Sequence, residues 1–380
     1  MRIGIDARFW GPAGTGLGKY IEKLVLNLEK TDHQNDYFVF LRKNNFDLFE
    51  PRSKNFHKVQ ADINWYSLAE QLFMPAVIKS ANLDLMHFGH FNVPLFYFGR
   101  FVVTIHDLIK SEFAHKSATI RSPIIYYLKH KAYNLVLSRA ILSSAKIITP
   151  SQWVKKRILE EFSVNPDKIV VCYEATDEKL QDDDPDPQKI SETLDRYQVL
   201  GQQYLIYIGN IYPHKNITRL LQAIKIIVQN PALFNLKLII GCPRDVFWQR
   251  LAREILALDL SQVIITPGYI PAEDLAILFR YAQAYVFPSL SEGFGLPGLD
   301  AMQAGLPVVA SDASCLPEIY QQAALYFDPL SIDDIADKIT QILTDENLRG
   351  NLIKEGYKRA KQFSWKKMAQ ETLAVYQDVI

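Results

Sequence analysis

Cysteine is scarce in this 380-residue chain, and an excess of either charge is missing altogether. Cys172, Cys242 and Cys315 lie far apart, with no Cys-x-x-Cys pair and no histidine cluster beside them. That spacing supplies neither a disulfide framework nor a zinc site. Lys plus Arg (42) equals Asp plus Glu (42), which argues against a general nucleic-acid binder. No apolar run approaches the roughly 20 residues needed to cross a bilayer. The N-terminus, MRIGIDARFW, is charged within two residues, unlike a secretory leader. These absences predict a cytoplasmic protein. Complete phosphate-loop signatures are missing too. In GPAGTGLGKY (11–20) a P-loop register puts Ala13 at the first glycine and Tyr20 at the metal-binding hydroxyl. A dinucleotide fingerprint read from Gly14 puts Lys19 where close helix packing wants a small residue.

What is present is a globular composition, 48% hydrophobic, in a chain long enough for two domains. Residues 1–180 hold 24 basic and 18 acidic residues and the remainder 18 and 24, so the first half is modestly cationic. Short apolar runs alternate with helical patterns almost throughout. RIGID, YFVFL, LDLMHF, FVVTI, KIIT and KIVV read as strands in the first half. YLIYIG, LKLIIG, VIITPG, AYVFPS, PVVAS and ALYF do so in the second. Helical patterns fall near 18–29, 66–79, 121–143, 151–161, 217–229, 246–257, 272–281, 297–304, 332–343 and 346–361. Such alternation predicts an α/β protein with doubly wound parallel sheets covered by helices on both faces. The layout expected is a first domain over 1–180, a linker over 181–200, a second domain over 201–363 and a last helix over 364–380. The run Asp182–Asp184 sits among prolines and other charges, so it reads as solvated linker rather than a metal cluster. Trp365, Met368, Thr372, Leu373 and Tyr376 recur at roughly helical spacing in the last segment.

Open parallel sheets bind ligands beyond the carboxyl ends of their strands, so functional residues belong on loops that follow strands. After the strand ending at Phe287 come Glu292 and then Gly293, Phe294, Gly295 and Leu296, with Pro297 at the first turn of a helix. Amides of Gly293 to Leu296 at a helix start, flanked by Glu292 and Asp300, suit a ligand with both hydroxyls and phosphates. Solvated acids on an ordinary strand–loop–helix connection are the other reading. A second loop, YIGNIYPHKNITRLL, places Lys215 just before a helix with Asn216 as its expected N-cap, an anion site by dipole and charge together. In VVTIHDLI, His106 and Asp107 follow a buried strand directly, where a histidine meets either a ligand or a structural partner.

These motifs are similar to one family. The N-terminal glycine loop, TIHDL, GN-x-x-PHKN, PSLSEGFGLP, ASDASCLPEI and the FSW helix resemble retaining glycosyltransferases of the GT-B architecture, in family four. The resemblance covers nearly the whole chain. It implies two Rossmann-like domains facing a central cleft, and a last helix that crosses back to the first domain. It implies that Glu292 contacts the donor sugar's hydroxyls with the amides of Phe294 and Gly295, and that Lys215 neutralises the diphosphate. The base is expected against the turn at Tyr269 and Ile270, held by main-chain groups. His106 is expected to reach the sugar from the acceptor side, and the glycine loop around Gly16 to approach a phosphate or acceptor through backbone N–H groups. The chain departs from the family at two places. Asp300 stands where a glutamate grips the ribose, and Asn210 where many relatives carry arginine, which leaves Lys215 and Arg219 as the cations near the diphosphate.

The activity implied is hexosyl transfer, mannosyl or glucosyl, from a nucleotide-sugar co-substrate to a glycan or lipid-linked acceptor in polysaccharide biosynthesis, with no cofactor and no metal. A nucleotide-sugar epimerase or phosphorylase on the same fold, or a non-catalytic nucleotide-sugar binder, are the alternatives. Helix 121–143 mixes Arg121, Lys129, Lys131 and Arg139 with apolar residues. It reads either as a peripheral contact with an anionic membrane or as a core-packed helix with solvated cations.

Overall fold

The structure, a computed structural model, describes residues 1–11, 14–109, 123–176 and 186–379. Pro12, Ala13, Arg121 and the Asp182–Asp184 run lie outside the described residues. The chain forms two compact units, one of residues 1–174 with 364–380 and one of residues 175–363.

The first unit is built on seven parallel strands: β1 (Arg2–Asp6), β2 (Asp36–Leu41), β3 (Phe56–Gln60), β4 (Leu85–Phe88), β5 (Phe101–Thr104), β6 (Lys146–Thr149) and β7 (Ile169–Val171). Their spatial order is β3-β2-β1-β4-β5-β6-β7, all pairs parallel. Helices α1 (Thr15–Thr31), α2 (Leu68–Ser80), α3 (Pro123–Ser143) and α4 (Gln152–Glu161) accompany it. Strands β4 and β5 are buried at every residue, as the unbroken apolar runs require of a sheet covered on both faces. Strand β3, FHKVQ, was not expected from the sequence. It lies at the sheet edge, where His57 and Gln60 face solvent, so the apolar run that marked the other strands is missing.

The C-terminal helix, Trp365–Asp378, belongs to this unit and packs along α1. Its N-cap Ser364 accepts a hydrogen bond from Lys367 N, and Trp365, Met368, Thr372, Val375 and Tyr376 form its buried face. Burying each large apolar side chain of that face contributes roughly 1.5–3 kcal/mol before ordering costs. Tyr376 also reaches the sheet. Its hydroxyl is 2.6 Å from His87 Nδ1, while His87 Nε2 is 2.9 Å from Thr104 Oγ1, which in turn meets Tyr20 at 2.9 Å. Burial holds His87 neutral, with its pKa pushed down to about 3, so the ring gives one hydrogen bond and takes one.

The second unit has six parallel strands: β8 (Tyr204–Ile208), β9 (Lys237–Gly241), β10 (Ile264–Gly268), β11 (Ala284–Phe287), β12 (Val308–Ser311) and β13 (Ala324–Phe327). Their order is β10-β9-β8-β11-β12-β13. Its helices are α5 (Pro187–Arg196), α6 (Ile217–Ile227), α7 (Val246–Ala257), α8 (Ala272–Tyr281), α9 (Leu296–Gln303), α10 (Leu316–Tyr320), α11 (Ile332–Thr344) and α12 (Glu346–Ala360). Helix α5 falls in the stretch read as linker. Asp186 caps it, Pro187 opens it, and it packs on α8 through Arg196 and Tyr197, which both bond the buried Asp274 carboxylate at 2.9 Å. The charge and proline content that suggested a linker are those of an amphipathic edge helix with a proline start.

Candidate donor and acceptor sites

In the second unit the strand order turns at β8 and β11, which are neighbours although 76 residues separate Ile208 from Ala284. The loops that leave their carboxyl ends therefore meet. Lys215 Nζ lies 2.6 Å from Glu292 Oε1, with both side chains largely buried. The loops are tied again by Leu290 N donating to His214 O at 2.7 Å. Asn216 has φ 60 at the position before α6, but its side chain makes no cap. Its Nδ2 donates instead to Pro288 O and Pro329 O, and its Oδ1 accepts from Arg219 Nη1. The expected N-cap is thus a clamp between three loops, since a left-handed backbone turns the amide away from the helix. Arg219 holds that clamp, half-buried. His214 stands neutral, its pKa pushed down to about 4 by burial and by the Lys215 charge, against the opposing pull of Glu292.

Helix α9 starts at Leu296 with Pro297 in its first turn and Gly295 before it at φ 97. A side chain there would meet the Tyr320 hydroxyl at 2.6 Å, and that hydroxyl donates to Gly295 O at 2.6 Å. Glycine is thus required both by φ and by the buried tyrosine behind it. Glu292 N donates to Ser314 Oγ at 3.1 Å, which pins the turn from the β12 side. Phe294 is buried edge-on to Phe363, whereas Gly293 and Leu296 are half-buried. Asp300, one turn into α9, is half-buried, and the buried Tyr285 hydroxyl lies in the field of both Glu292 and Asp300. Asn210 is half-buried after β8, with its carbonyl taken by the Tyr207 hydroxyl. After β10, Tyr269 is 82% exposed, while Ile270 is buried and faces Gly241. Any contact of Ile270 with a ligand is therefore through its backbone.

The first unit has its own turn in strand order, between β1 and β4. The glycine loop follows β1. Cβ atoms at Gly14 and Gly18 would strike Phe9 O and Gly11 O at 2.0 and 2.4 Å, but a Cβ at Gly16 would meet nothing within 4 Å. Two glycines close the turn, then, and the third leaves open space at the start of α1. His106 follows β5 and is held at both ring nitrogens, Nδ1 by Glu174 Oε1 at 3.0 Å and Nε2 by Gly89 O at 3.0 Å. A carbonyl can only accept, so Nε2 carries a proton toward Gly89 O, and the Glu174 carboxyl group beside Nδ1 favours the charged form of the ring. Burial opposes that charge, but the hydrogen bond and charge of Glu174, then Gly89 O and Asp107, outweigh it and raise the pKa. Glu174 went unremarked in the sequence. Its one signal was its place just past a strand, in VVCYEAT. Among the described residues, no helix is long and apolar enough to cross a membrane.

Comparison with known proteins agrees with this geometry. The model for Glycosyltransferase Family 4 matches residues 14–180, and that for Glycosyl transferases group 1 matches residues 194–359. The chain is 36% identical to O-antigen chain mannosyltransferase B of Escherichia coli over 62% of its own length and 61% of that protein. It is 25% identical to O-antigen chain mannosyltransferase RfbU of Salmonella typhimurium over 70% and 66% of the two chains. Among solved structures, Anabaena HepE in complex with UDP-glucose superposes with a TM-score of 0.77 at 16% identity, over 100% of both chains. Two parallel-sheet units, paired strand-end loops and both family models lead to one conclusion: the chain belongs to the family 4, group 1 glycosyltransferases and has the GT-B fold.

Proposed function

We propose that the protein is a retaining glycosyltransferase that moves a hexosyl unit, mannosyl in the first instance, from a nucleotide-diphosphate sugar to a hydroxyl of a glycan or lipid-linked acceptor. The observation that carries this reading is the contact of Lys215 with Glu292 beside the open start of α9. The names of the curated relatives, mannosyltransferases of O-antigen chains, support the sugar and the acceptor class. The UDP-glucose complex of a protein with the same fold supports the donor class.

In this proposal the donor lies on the second unit. An ammonium has three donors, so Lys215 keeps Glu292 while reaching a phosphate oxygen. Amides of Gly293 to Leu296 aim at the same phosphate, where charge develops as the glycosyl bond breaks. Glu292 takes the sugar hydroxyls, Asp300 the ribose, Arg219 adds positive field, Asn210 lies toward the diphosphate, and the backbone of Tyr269 and Ile270 lines the nucleoside. The anomeric carbon–phosphate oxygen bond breaks, the acceptor oxygen bonds the same face, and its proton passes to the departing phosphate. On the first unit, His106, held at both ring nitrogens by Glu174 and Gly89, and the open space beside Gly16 are assigned to the acceptor side. Lys215 and the helix amides carry the charge compensation, so the proposal includes no metal, and EDTA is expected to leave turnover unchanged. Lys215→Ala is expected to cut kcat about 100-fold, the effect of losing one leaving-group donor of roughly 3 kcal/mol. Unchanged turnover removes this role, and tight nucleotide binding without transfer by the parent leaves a binder instead of an enzyme. A thermal-shift screen of GDP, UDP and their hexose conjugates identifies the base.

A membrane contact through the first unit is the second part of the proposal. Leu128, Leu135 and Leu142 are exposed along α3 at seven-residue spacing, with Tyr127 beside them. Lys129 and Lys131 are exposed on the same helix, and the Lys131 ammonium lies 4.7 Å over the Tyr127 ring. Apolar side chains with flanking cations suit an anionic bilayer surface. The double variant Lys129→Glu/Lys131→Glu is expected to sediment less with phosphatidylglycerol vesicles. Undiminished sedimentation removes α3 from this role.

A further inference from the structure

Tyr66 stands out in the first unit as a non-glycine residue at φ 58, half-way out of the surface at 51% exposure. Such a backbone costs about 1–3 kcal/mol and persists only where its surroundings over-determine it. Here they do. Glu70 Oε2 accepts from Tyr66 N at 2.8 Å and from Asn92 Nδ2 at 2.6 Å. Glu70 Oε1 accepts from Arg8 Nη2 at 2.6 Å, and the same nitrogen bonds Asp6 Oδ2 at 2.7 Å. Arg8 Nη1 reaches Ile63 O at 3.3 Å, at the base of the same loop. Arg8 and Glu70 have fully buried side chains. A buried network of one cation and two acids is a poor way to gain stability, because desolvation consumes most of the attraction. What it achieves is position. It joins the ends of β1 and β4 to the loop before α2 and fixes one tyrosine.

The rings around Tyr66 set its surroundings. Phe9 and His90 meet it at steep interplanar angles of 67° and 81°, and Phe91 at 39°. Trp65, its neighbour, is stacked on Phe9 at 4.3 Å with the Arg42 guanidinium 5.0 Å over its ring. The Tyr66 phenol lies within the field of Asp107, the residue after His106. An exposed aromatic ring with carboxylate and histidine groups nearby suits a pyranose, which has an apolar face of C–H groups and a rim of hydroxyls.

Resting on the reading of the chain as a glycosyltransferase, we propose that Tyr66, held by the Arg8–Glu70 network, is the stacking residue of an acceptor subsite for an uncharged pyranose ring. Glycine adopts φ 58 without strain, so Tyr66→Gly removes the ring and relaxes the backbone together. With α-linked mannobiose as acceptor, Y66G is expected to raise the acceptor KM about tenfold, the scale of one lost aromatic contact, and the donor KM less than twofold. Y66F is expected to recover most of the loss. An unchanged acceptor KM in Y66G, or equal losses for donor and acceptor, overturns the proposal while leaving the transferase reading intact. If the parent transfers no sugar, saturation-transfer NMR with mannobiose decides the subsite without turnover. Saturation in the parent that Y66G loses supports it. Absence from the parent, or retention in Y66G, overturns it.

Discussion

Replacing Gly295 by alanine tests the geometry on which the donor site is built. The residue sits at φ 97, ψ 38, outside the range a side chain adopts readily, at a cost of about 1–2 kcal/mol. The new methyl would also fall 2.6 Å from the Tyr320 hydroxyl and 2.8 Å from Leu316 Cδ2. Tyr320 is fully buried and its hydroxyl donates to the carbonyl of the same glycine, so it must move away and lose that partner. Leaving a buried hydroxyl unpaired costs about 1–3 kcal/mol. The sum is roughly 2–5 kcal/mol, which at about 2–4 °C per kcal/mol for a unit of this size lowers Tm by about 10 °C. Calorimetry of the whole chain reads the transition of the second unit. The double variant G295A/Y320F has no hydroxyl left to displace, so its loss is expected to fall short of the sum of the singles by about 1 kcal/mol or more. A G295A protein that melts within about 1 °C of the parent, or strict additivity in the double variant, refutes the reasoning.

Other outcomes follow from the first unit. His106 has a raised pKa, so its contribution to stability is full below the ordinary histidine value near 6.5 and fades as pH rises through the raised one. Glu174→Gln is expected to lower the titration midpoint of the His106 Cε1 proton and to narrow that window, and a parent midpoint at or below 6.5 contradicts the raised pKa. His87 behaves in the opposite sense. Its depressed pKa means stability is full above about 6.5 and is lost as pH falls toward about 3. Tyr376→Phe leaves the buried His87 Nδ1 without its partner and is expected to cost about 1–3 kcal/mol in denaturant unfolding. A loss below about 0.5 kcal/mol shows that the hydroxyl contributes packing alone.

Much of this protein is written in local pattern. Burial on both faces makes central parallel strands unbroken apolar runs, and a helix on a sheet must place one face inward, so the order of elements is readable along the chain. Where a strand leaves the interior the signal fades, as at β3, whose polar residues face solvent. Helix α5 was hidden for a related reason, since one apolar stripe among many charges resembles a linker. The motif residues were visible as separate loops, but their partners were not. Lys215 meets Glu292 across 77 positions and His106 meets Glu174 across 68. Arg8 meets Glu70 across 62. These pairings depend on strand order, with β8 beside β11 for Lys215 and Glu292 and β5, β6 and β7 in succession for His106 and Glu174, and that order is settled by packing of the whole sheet. Side-chain periodicity records which face of an element is dry. It carries no record of which neighbour stands beyond the strand's end, and there tertiary structure alone decided the chemistry.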